Sequence, residues 1–306
     1  MSGLKIYVGL TDGDWHEFLS NGPSREEVNF WQPSGRTQFR ALQPGELFLF
    51  KLHHPRNFIV GGGVFGHASI LPVSLAWQVF GDGNGAPSLA IMRDRVARYR
   101  REPEDRLRDY QIGCRLLEQP FFWPEAEWVP VPSSWAPSIQ VGKRFDASEE
   151  DGRALWDAVQ ARLALRPNAI SPQPRYGPPR LIEPRLGQGT FRVAITDAYE
   201  RRCAVTGERT LPILDAAHIR GYADGGDHTL DNGILLRTDV HRLFDLGYVT
   251  IGEDNRLVVG RRLKEDFDNG RHYYDMHGAT LRSPKRGMPS PSLAQLAWHR
   301  DSRFLG

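Results

Sequence analysis

Short apolar runs separated by polar turns fill the first part of the chain. Runs of this length, bounded by Gly, Pro, Asn or His, are typical of β-strands. Strands are accordingly predicted at 5–10, 46–52, 57–65, 112–118 and 128–131. A helix is predicted at 88–101, and together these elements indicate a mixed α+β domain with a curled sheet.

An amphipathic helix and a proline-rich stretch follow this domain. Residues 148–165 place Leu155, Val159 and Leu163 on one face behind an acidic first turn, which predicts a helix that closes the domain. The proline-dense stretch after it cannot sustain a helix. The chain is therefore predicted to divide into a first domain at 1–165, a linker at 166–187 and a second domain at 188–306.

The second domain has a recognisable order of elements around its polar residues. These are a strand at 211–219, a turn-rich loop at 224–229, a strand at 233–237 and a helix at 238–246. Gly247 is expected to end the helix. His241 and Asp245 are four residues apart on that helix, so they share one face.

Composition limits the classes of protein and of site that fit this pattern. Of 306 residues, 40% are hydrophobic and 25% charged, which excludes global disorder. The chain begins directly with a strand and has no run of 18 apolar residues, so a cytoplasmic protein without a membrane partner is expected. Two cysteines exclude a disulfide framework, so His, Asp, Glu or Asn must build any metal site. A net charge of +2 excludes a polybasic nucleic-acid coat.

Four short motifs in the second domain resemble a nuclease family. They are CAVTG at 203–207, AAHI at 216–219, DNGILLR at 231–237 and HRLFDLGY at 241–248. Asn232 follows His218 by 14 residues, and His241 follows Asn232 by nine. These residue types, spacings and elements resemble the HNH nucleases of the ββα-metal superfamily. The resemblance implies a ββα-metal fold and hydrolysis of DNA phosphodiesters.

The chemistry of that reaction assigns catalytic roles to three residues. Hydrolysis requires a base near the phosphate, and imidazole titrates near neutrality, so His218 is predicted to be the general base. His241 is predicted to present its nitrogen to a divalent ion. Asn232 has two alternative roles: it binds the metal through its amide oxygen, or it fixes the loop so that His218 is aimed.

The expected metal ligands are His241, Asn232, Asp245 and Asp215. Many HNH nucleases place Asp or His immediately before the general base, but this chain has Ala217 there. Asp215 lies two residues further back along the strand, and whether it reaches the metal stays open. Mg²⁺ or Mn²⁺ that retains waters is expected. No structural zinc is expected, because two cysteines are too few for a four-thiolate site. Cys203, which stands where relatives carry a zinc thiolate, is expected to be a small buried hydrophobic residue.

The first domain carries a weaker resemblance. The segments QPGELFLF at 43–50 and FIVGGGVF at 58–65 resemble a paired motif of the PUA-like superfamily, which includes the EVE, ASCH, YTH and SRA domains. The resemblance covers about residues 4–145. It implies a β-barrel with helices that reads nucleic acid, in several relatives by accepting a flipped or unpaired modified base.

A base pocket needs stacking surfaces and a polar edge partner. The candidates that stand outside the regular strand alternation are Trp15, Phe30 and Trp31 for stacking, and Asp14 and Asn29 for the polar edge, with Asp12 and Gln32 adjacent. The alternative for each aromatic residue is simple core packing. Arg220, Arg237 and Arg242 are predicted phosphate contacts, with surface solvation as the alternative.

Together these features predict a modification-dependent endonuclease acting on double-stranded DNA, with a 5-substituted cytosine as its target. One alternative is an HNH nuclease or nickase without modification dependence. Another is a non-catalytic nucleic-acid-binding protein with a degenerate HNH domain, which Ala217 favours. Because one ββα site cuts one strand, double-strand cleavage would need a homodimer or two sequential nicks.

Overall fold

A computed structural model describes residues 4–100, 109–164 and 186–306. The chain divides into two compact units, Met1–Pro184 and Arg185–Gly306. The predicted linker at 166–187 lies outside the described residues except for its last two positions. None of the helices in the described ranges has both the length and the apolar character needed to cross a bilayer.

The first unit combines a mixed sheet with helices. Its strands are β1 Lys5–Thr11, β2 Glu27–Gln32, β3 Leu47–Leu52, β4 Phe58–Pro72, β5 Gln111–Phe122, β6 Val129–Pro130 and β7 Gly142–Asp146. Its helices are α1 Gly13–Ser20, α2 Val73–Phe80, α3 Leu89–Ala97 and α4 Glu150–Ala164. The sheet and the helices confirm the α+β class predicted for this part of the chain.

The strands of this sheet run in the order β2-β5-β4-β3-β1-β7, with β6 paired to β4. β1 and β3 are parallel, with Val8 opposite Leu49, and the other pairs are antiparallel. In the described ranges, no ladder joins the two outer strands β2 and β7. Closure of the sheet into a barrel therefore stays a prediction.

Strand β4 is much longer than the strand predicted at 57–65. Its register against β5 shifts at Gly62/Val64 and again at Phe65/His67, so bulges interrupt the alternation of side chains. The glycines in it permit a close approach of neighbouring backbone, since a Cβ at Gly62 would lie 2.6 Å from the carbonyl oxygen of Phe48. Because the bulges break the alternation of apolar and polar residues, the sequence pattern does not predict that the strand continues to Pro72.

Helix α4 confirms the predicted helix at 148–165 in its position and its buried face. Leu155 and Val159 are buried in a core cluster with Ile6 and Val8 of β1, and Leu163 packs against its edge. Burial of such side chains contributes roughly 1.5–3 kcal/mol each. The helix therefore closes the core on one side of the sheet.

The second unit surrounds a small hairpin. Its strands are β8 Leu214–His218, β9 Gly233–Arg237, β10 Val249–Ile251 and β11 Leu257–Val259. Its helices are α5 Gln188–Ala198, α6 Thr238–Asp245, α7 Arg262–Phe267, α8 Arg271–Tyr274 and α9 Leu293–Ser302. β8 and β9 are antiparallel, and His218 lies opposite Gly233. The hairpin followed by α6 is the predicted strand, strand and helix order.

The start of β8 differs from the sequence prediction. Residues Leu211–Ile213 form a 3₁₀ turn before β8, so the strand is shorter than 211–219. Arg237 is the N-cap residue of α6, and the Thr238 hydroxyl donates to the carbonyl oxygen of Ile213. This bond ties the start of α6 to the turn that precedes β8.

Candidate functional site

A cleft of about 620 Å³ opens beside the hairpin of the second unit. Side chains from α5, β8, the loop after β8, α6 and α9 line it. Among the polar and charged lining residues are Arg192, Asp215, His218, Asp224, His241, Asp245 and Arg303. Four predicted site residues, His218, His241, Asp215 and Asp245, thus lie in one cleft.

His218 ends β8 and is held on two sides. Its ring stacks on Phe191 of α5, with centroids 4.1 Å apart and planes 11° from parallel. Its Nε2 lies 2.9 Å from Nδ1 of His228, so one of these nitrogens donates a proton to the other. Burial lowers the pKa of His218 to about 4, and the charges of His228 and His241 contribute in the same direction. The imidazole is therefore neutral at neutral pH.

His228, in the loop after β8, contributes to the site although it belongs to none of the motifs singled out from the sequence. It is half-buried, because Tyr222 stacks on it with ring centroids 5.6 Å apart, and His218 contacts its other side. Tyr222 itself is 67% exposed. Nine residues of loop separate His218 from His228, and no periodic pattern crosses such a loop, so this contact had no signal in the sequence.

Asn232 is fully buried and its carboxamide fastens the loop after β8. Its Oδ1 accepts a hydrogen bond from the backbone N–H of Arg220 at 2.9 Å. Its Nδ2 donates to the carbonyl oxygens of Arg220 and Asp227 at 2.9 and 2.8 Å. Asn232 does not line the cleft. Of its two predicted roles, these contacts favour loop fixation over metal binding.

Replacement of Asn232 by aspartate is expected to destabilise the second unit by about 2–3 kcal/mol. The substitution keeps the shape but removes both N–H donors, and each carbonyl left without a donor costs about 1–3 kcal/mol. Calorimetric unfolding measures the change. Asn269→Asp is the matched control, because Asn269 is exposed and its Oδ1 accepts from the N–H of Gly270. Equal stability of the two variants would contradict the fastening role.

His241 lies between two carboxylates. Its Nδ1 is 3.5 Å from Oδ2 of Asp215, and its Nε2 is 3.2 Å from Oδ2 of Asp245. Asp215 also lies 3.9 Å from Nη2 of Arg192. Burial raises the pKa of Asp245; His241 and Arg303 oppose this shift, whereas the negative charge of Asp215 adds to it. Asp215 thus lies within reach of His241, one of the other predicted metal ligands.

The oxygen and nitrogen donors of Asp215, His241 and Asp245 are of the kind that binds a divalent metal, although the described residues do not form a preassembled ligand cluster. Within the described ranges, no three His, Cys, Asp or Glu side chains converge as a ligand cluster. Asp215, His241 and Asp245 nevertheless line the same cleft, and two carboxylates with one imidazole suit Mg²⁺ or Mn²⁺ that retains several waters. Ala217 is fully buried in the core, so it leaves no ligand position facing the cleft.

The predicted phosphate contacts are mostly engaged within the protein. Arg220 donates from Nε to the carbonyl of Asp224 at 2.7 Å and lies over the ring of Trp298. Arg237 makes two contacts of 2.6 and 2.8 Å with the carboxylate of Asp239. Arg242 is exposed on α6. Arg220 and Arg237 therefore stabilise the fold through contacts within the protein, a role that the sequence did not predict.

Two other arginines line the cleft and were not singled out from the sequence. Arg192 comes from α5, and Arg303 follows α9 and pairs with Asp224 at 2.6 Å. Neither lies within a recognisable motif. Their positions depend on how α5 and the C-terminal helix pack against the hairpin, so only the tertiary structure reveals them.

A second cavity, of about 340 Å³, lies within the first unit. Trp15, Phe30 and Trp31 all line it, as predicted for a base pocket. Phe30 and Trp31 belong to β2, a strand that the sequence did not predict. The indole N–H groups of Trp15 and Trp31 donate to the carbonyls of Asn29 and Asn84, at 3.3 and 3.1 Å. These bonds fix both rings in place.

The other two predicted pocket residues lie outside the lining of this cavity. Asn29 is fully buried, and its Nδ2 donates to Oδ1 of Asn84 at 2.9 Å. Asp14 pairs with Arg98 at 2.6 Å on α1. Both side chains therefore serve contacts within the unit, and their assignment to the pocket edge is corrected.

Polar groups that the sequence analysis left unassigned take their place in the lining. Arg115, His53 and Tyr99 line the cavity together with Asp12. Asp12 accepts from the backbone N–H of Trp15 at 2.8 Å and from the hydroxyl of Tyr99 at 2.7 Å. Burial lowers the pKa of His53, with a further lowering from Lys51 that Asp12 opposes. Arg115 and Tyr99 come from segments that had been interpreted only as a strand and a helix.

Comparison with known proteins gives structural neighbours of low similarity. The ASCH protein from Zymomonas mobilis is 11% identical, covers 50% of this chain and 94% of its own, and has a TM-score of 0.34. A structure described as the modification-dependent TagI restriction endonuclease is 12% identical, covers 98% of this chain and 81% of its own, and has a TM-score of 0.29. No curated protein matches the chain by sequence.

A family comparison covers the hairpin, its loop and α6. Residues 203–252 match the HNH endonuclease family, and this range includes His218, His228, Asn232 and His241. The match agrees with the ββα resemblance and with the geometry of the cleft. The second unit of this chain therefore carries an HNH endonuclease domain.

Proposed function

We propose that this protein is a modification-dependent DNA endonuclease, with a 5-substituted cytosine as the recognised base. One observation carries the proposal: the chain joins an HNH cleft to a separate unit whose cavity has three aromatic walls. A nuclease cleft that contacts the phosphate backbone has little sequence information to read. The cavity supplies the kind of site that selectivity for a single base requires.

The size and walls of the cavity support a base as its ligand. About 340 Å³ accommodates one nucleobase with a small substituent, and Trp15, Phe30 and Trp31 offer apolar ring surfaces. Stacking on such rings contributes roughly 1–3 kcal/mol per base. An enzyme that inspects a base inside a duplex must first flip it out. Double-stranded DNA is accordingly the proposed partner.

In the HNH cleft, His218 is the proposed general base. Because burial lowers its pKa, the imidazole is neutral at neutral pH and has a nitrogen lone pair that can accept a proton from water. In the tautomer in which His218 donates from Nε2 to His228, its Nδ1 is left free to accept that proton. His228 is then the residue that orients the base, and Phe191 holds the plane of its ring.

Asp215, His241 and Asp245 are the residues that would hold a divalent metal ion. When bound, Mg²⁺ or Mn²⁺ would neutralise charge on the phosphate and the leaving oxygen. The pairing of His241 with both carboxylates supports this set. Asn232 does not belong to the proposed ligand set. Its role is to hold the loop that carries His228 in position next to the end of β8.

Modified DNA is expected to be cut at least about tenfold faster than unmodified DNA of the same sequence, because one well-read base is worth roughly 1–3 kcal/mol. Gel assays with Mg²⁺ or Mn²⁺ would compare duplexes containing 5-methylcytosine, 5-hydroxymethylcytosine, N6-methyladenine or no modification. Equal cutting of all duplexes would leave a plain HNH nuclease and refute modification dependence. Preference for the adenine duplex would refute the cytosine assignment alone.

A further inference from the structure

Arg115 is a buried cation that faces the cavity of the first unit, and no carboxylate among the described residues forms an ion pair with it. It lies in the middle of β5, opposite Phe30 of β2, and is only 3% exposed. Its Nε and Nη1 are buried and have no hydrogen-bond partner among the described residues. Burial lowers the pKa of Arg115 to about 10, a value at which the guanidinium is still charged at neutral pH.

Aromatic rings surround this guanidinium. Its carbon lies 4.6 Å from the ring centroid of Phe39 and 5.6 to 5.9 Å from those of Phe30, Tyr7 and Phe48. Cation–π contacts offset part of the cost of burial, but they satisfy none of the N–H donors. Unsatisfied buried donors of this kind are rare in native proteins and call for an explanation.

The rest of the cavity lining suggests what supplies the missing acceptors. Trp15, Phe30 and Trp31 provide flat apolar walls, which favour a planar ring over a free phosphate. Asp12 lines the same cavity and offers only acceptor atoms. The cavity therefore presents donors from Arg115 and acceptors from Asp12 to one ring.

We infer that Arg115 reads the flipped base by donating to two adjacent acceptors on a planar ring. The O2 and N3 atoms of cytosine form such a pair, and the cytosine N4 amino group then suits Asp12. A carboxylate on the ring, as in 5-carboxylcytosine, is a second source of the same chemistry. Thymine has an N3–H donor where cytosine has an acceptor, and an O4 acceptor where cytosine has the N4 amino donor. In the pose that places cytosine, thymine therefore sets a donor against Arg115 and an acceptor against Asp12. The inference rests on the proposed function of the cavity and names its specificity-determining residue.

Binding by the full-length protein tests this inference. Short duplexes carrying 5-methylcytosine, 5-carboxylcytosine, cytosine or thymine at one position opposite guanine would be titrated in EDTA and followed by tryptophan fluorescence. The wild-type protein is expected to bind at least one of the modified cytosines at least about tenfold more tightly than thymine. A strong preference for 5-carboxylcytosine over 5-methylcytosine would identify the carboxylate as the acceptor pair, and similar affinities would identify the ring edge.

Two variants separate a reading role from a structural one. Arg115→Gln and Arg115→Met are expected to reduce the cytosine-to-thymine ratio to about one. Arg115→Met should not lower the melting temperature of the ligand-free protein, since it removes an unpaired buried charge. Arg144→Gln is the control, because Arg144 is exposed on β7 and does not line the cavity.

The inference is overturned if a folded Arg115 variant keeps the wild-type ratio. It is also overturned if the wild-type protein binds thymine as tightly as the cytosines, a comparison that needs no variant. Failure of the proposed function is a different result, namely equal cleavage of modified and unmodified DNA. The two outcomes are distinguishable because one is read from binding ratios and the other from cleavage rates.

Discussion

Replacing His218 by alanine is expected to lower the rate of DNA cleavage by at least about a hundredfold, the usual worth of a positioned general base. The backbone of the cleft should keep its conformation in this variant, because β8 pairs with β9, and Phe191 and Ile195 pack against Gly233 of β9. DNA affinity should therefore stay close to that of the wild-type protein. Single-turnover cleavage and a separate binding titration measure the two quantities.

The control for this variant is His277→Ala. His277 is exposed in the same unit and lies outside the cleft lining, so its replacement should leave the cleavage rate unchanged. A His218→Ala protein that cuts at the wild-type rate would refute the general-base assignment. If the wild-type protein binds DNA but does not cut it with any divalent ion, the active site is degenerate.

Replacing His241 by alanine is expected to reduce cleavage on the order of a hundredfold or more, because it removes the one imidazole that contacts both carboxylates. A bound cation stabilises transition-state charge by several kcal/mol, and loss of a central ligand forfeits much of that. Isothermal titration with Mn²⁺ should show weaker binding. High Mn²⁺ should restore part of the rate, which distinguishes a lost ligand from a lost base.

Asp215→Asn tests another member of the proposed ligand set in the same assay. Weaker Mn²⁺ binding is expected, since the neutral amide lowers the negative charge around His241. Asp301→Asn is the matched control, as Asp301 is exposed on α9 outside the cleft lining. Unchanged Mn²⁺ affinity in both His241→Ala and Asp215→Asn would place the metal elsewhere.

The chemistry-bearing residues of the second unit were predictable because they lie within one short hairpin and helix. The periodicity of β9 and α6 and the spacing of His218, Asn232 and His241 identify that unit from local sequence. The hairpin and helix are close together in the sequence, so local patterns are enough to predict how their side chains come together. The same holds for α4, whose buried face follows directly from its apolar period.

What sequence could not supply were contacts between distant segments. His228 reaches His218 across a loop without periodicity, and Arg192 and Arg303 enter the cleft from helices at either end of the unit. Arg115 lies in the middle of β5, where the alternation of side chains predicts the face on which it lies but not its contacts. For the same reason Asn29 was placed at the pocket edge, although a bond to Asn84, 55 residues later, holds it in the interior.

The side-chain hydrogen bonds of Asn232 leave many positions of the loop after β8 open to substitution. All three of these bonds go to main-chain atoms of the loop, at Arg220 and Asp227. The path of that loop is therefore independent of most of the side chains along it. An exposed residue such as Ala223 is free to be exchanged without moving the end of β8. The loop is thus a place where new DNA contacts can be selected or engineered beside the cleft while its chemistry is preserved.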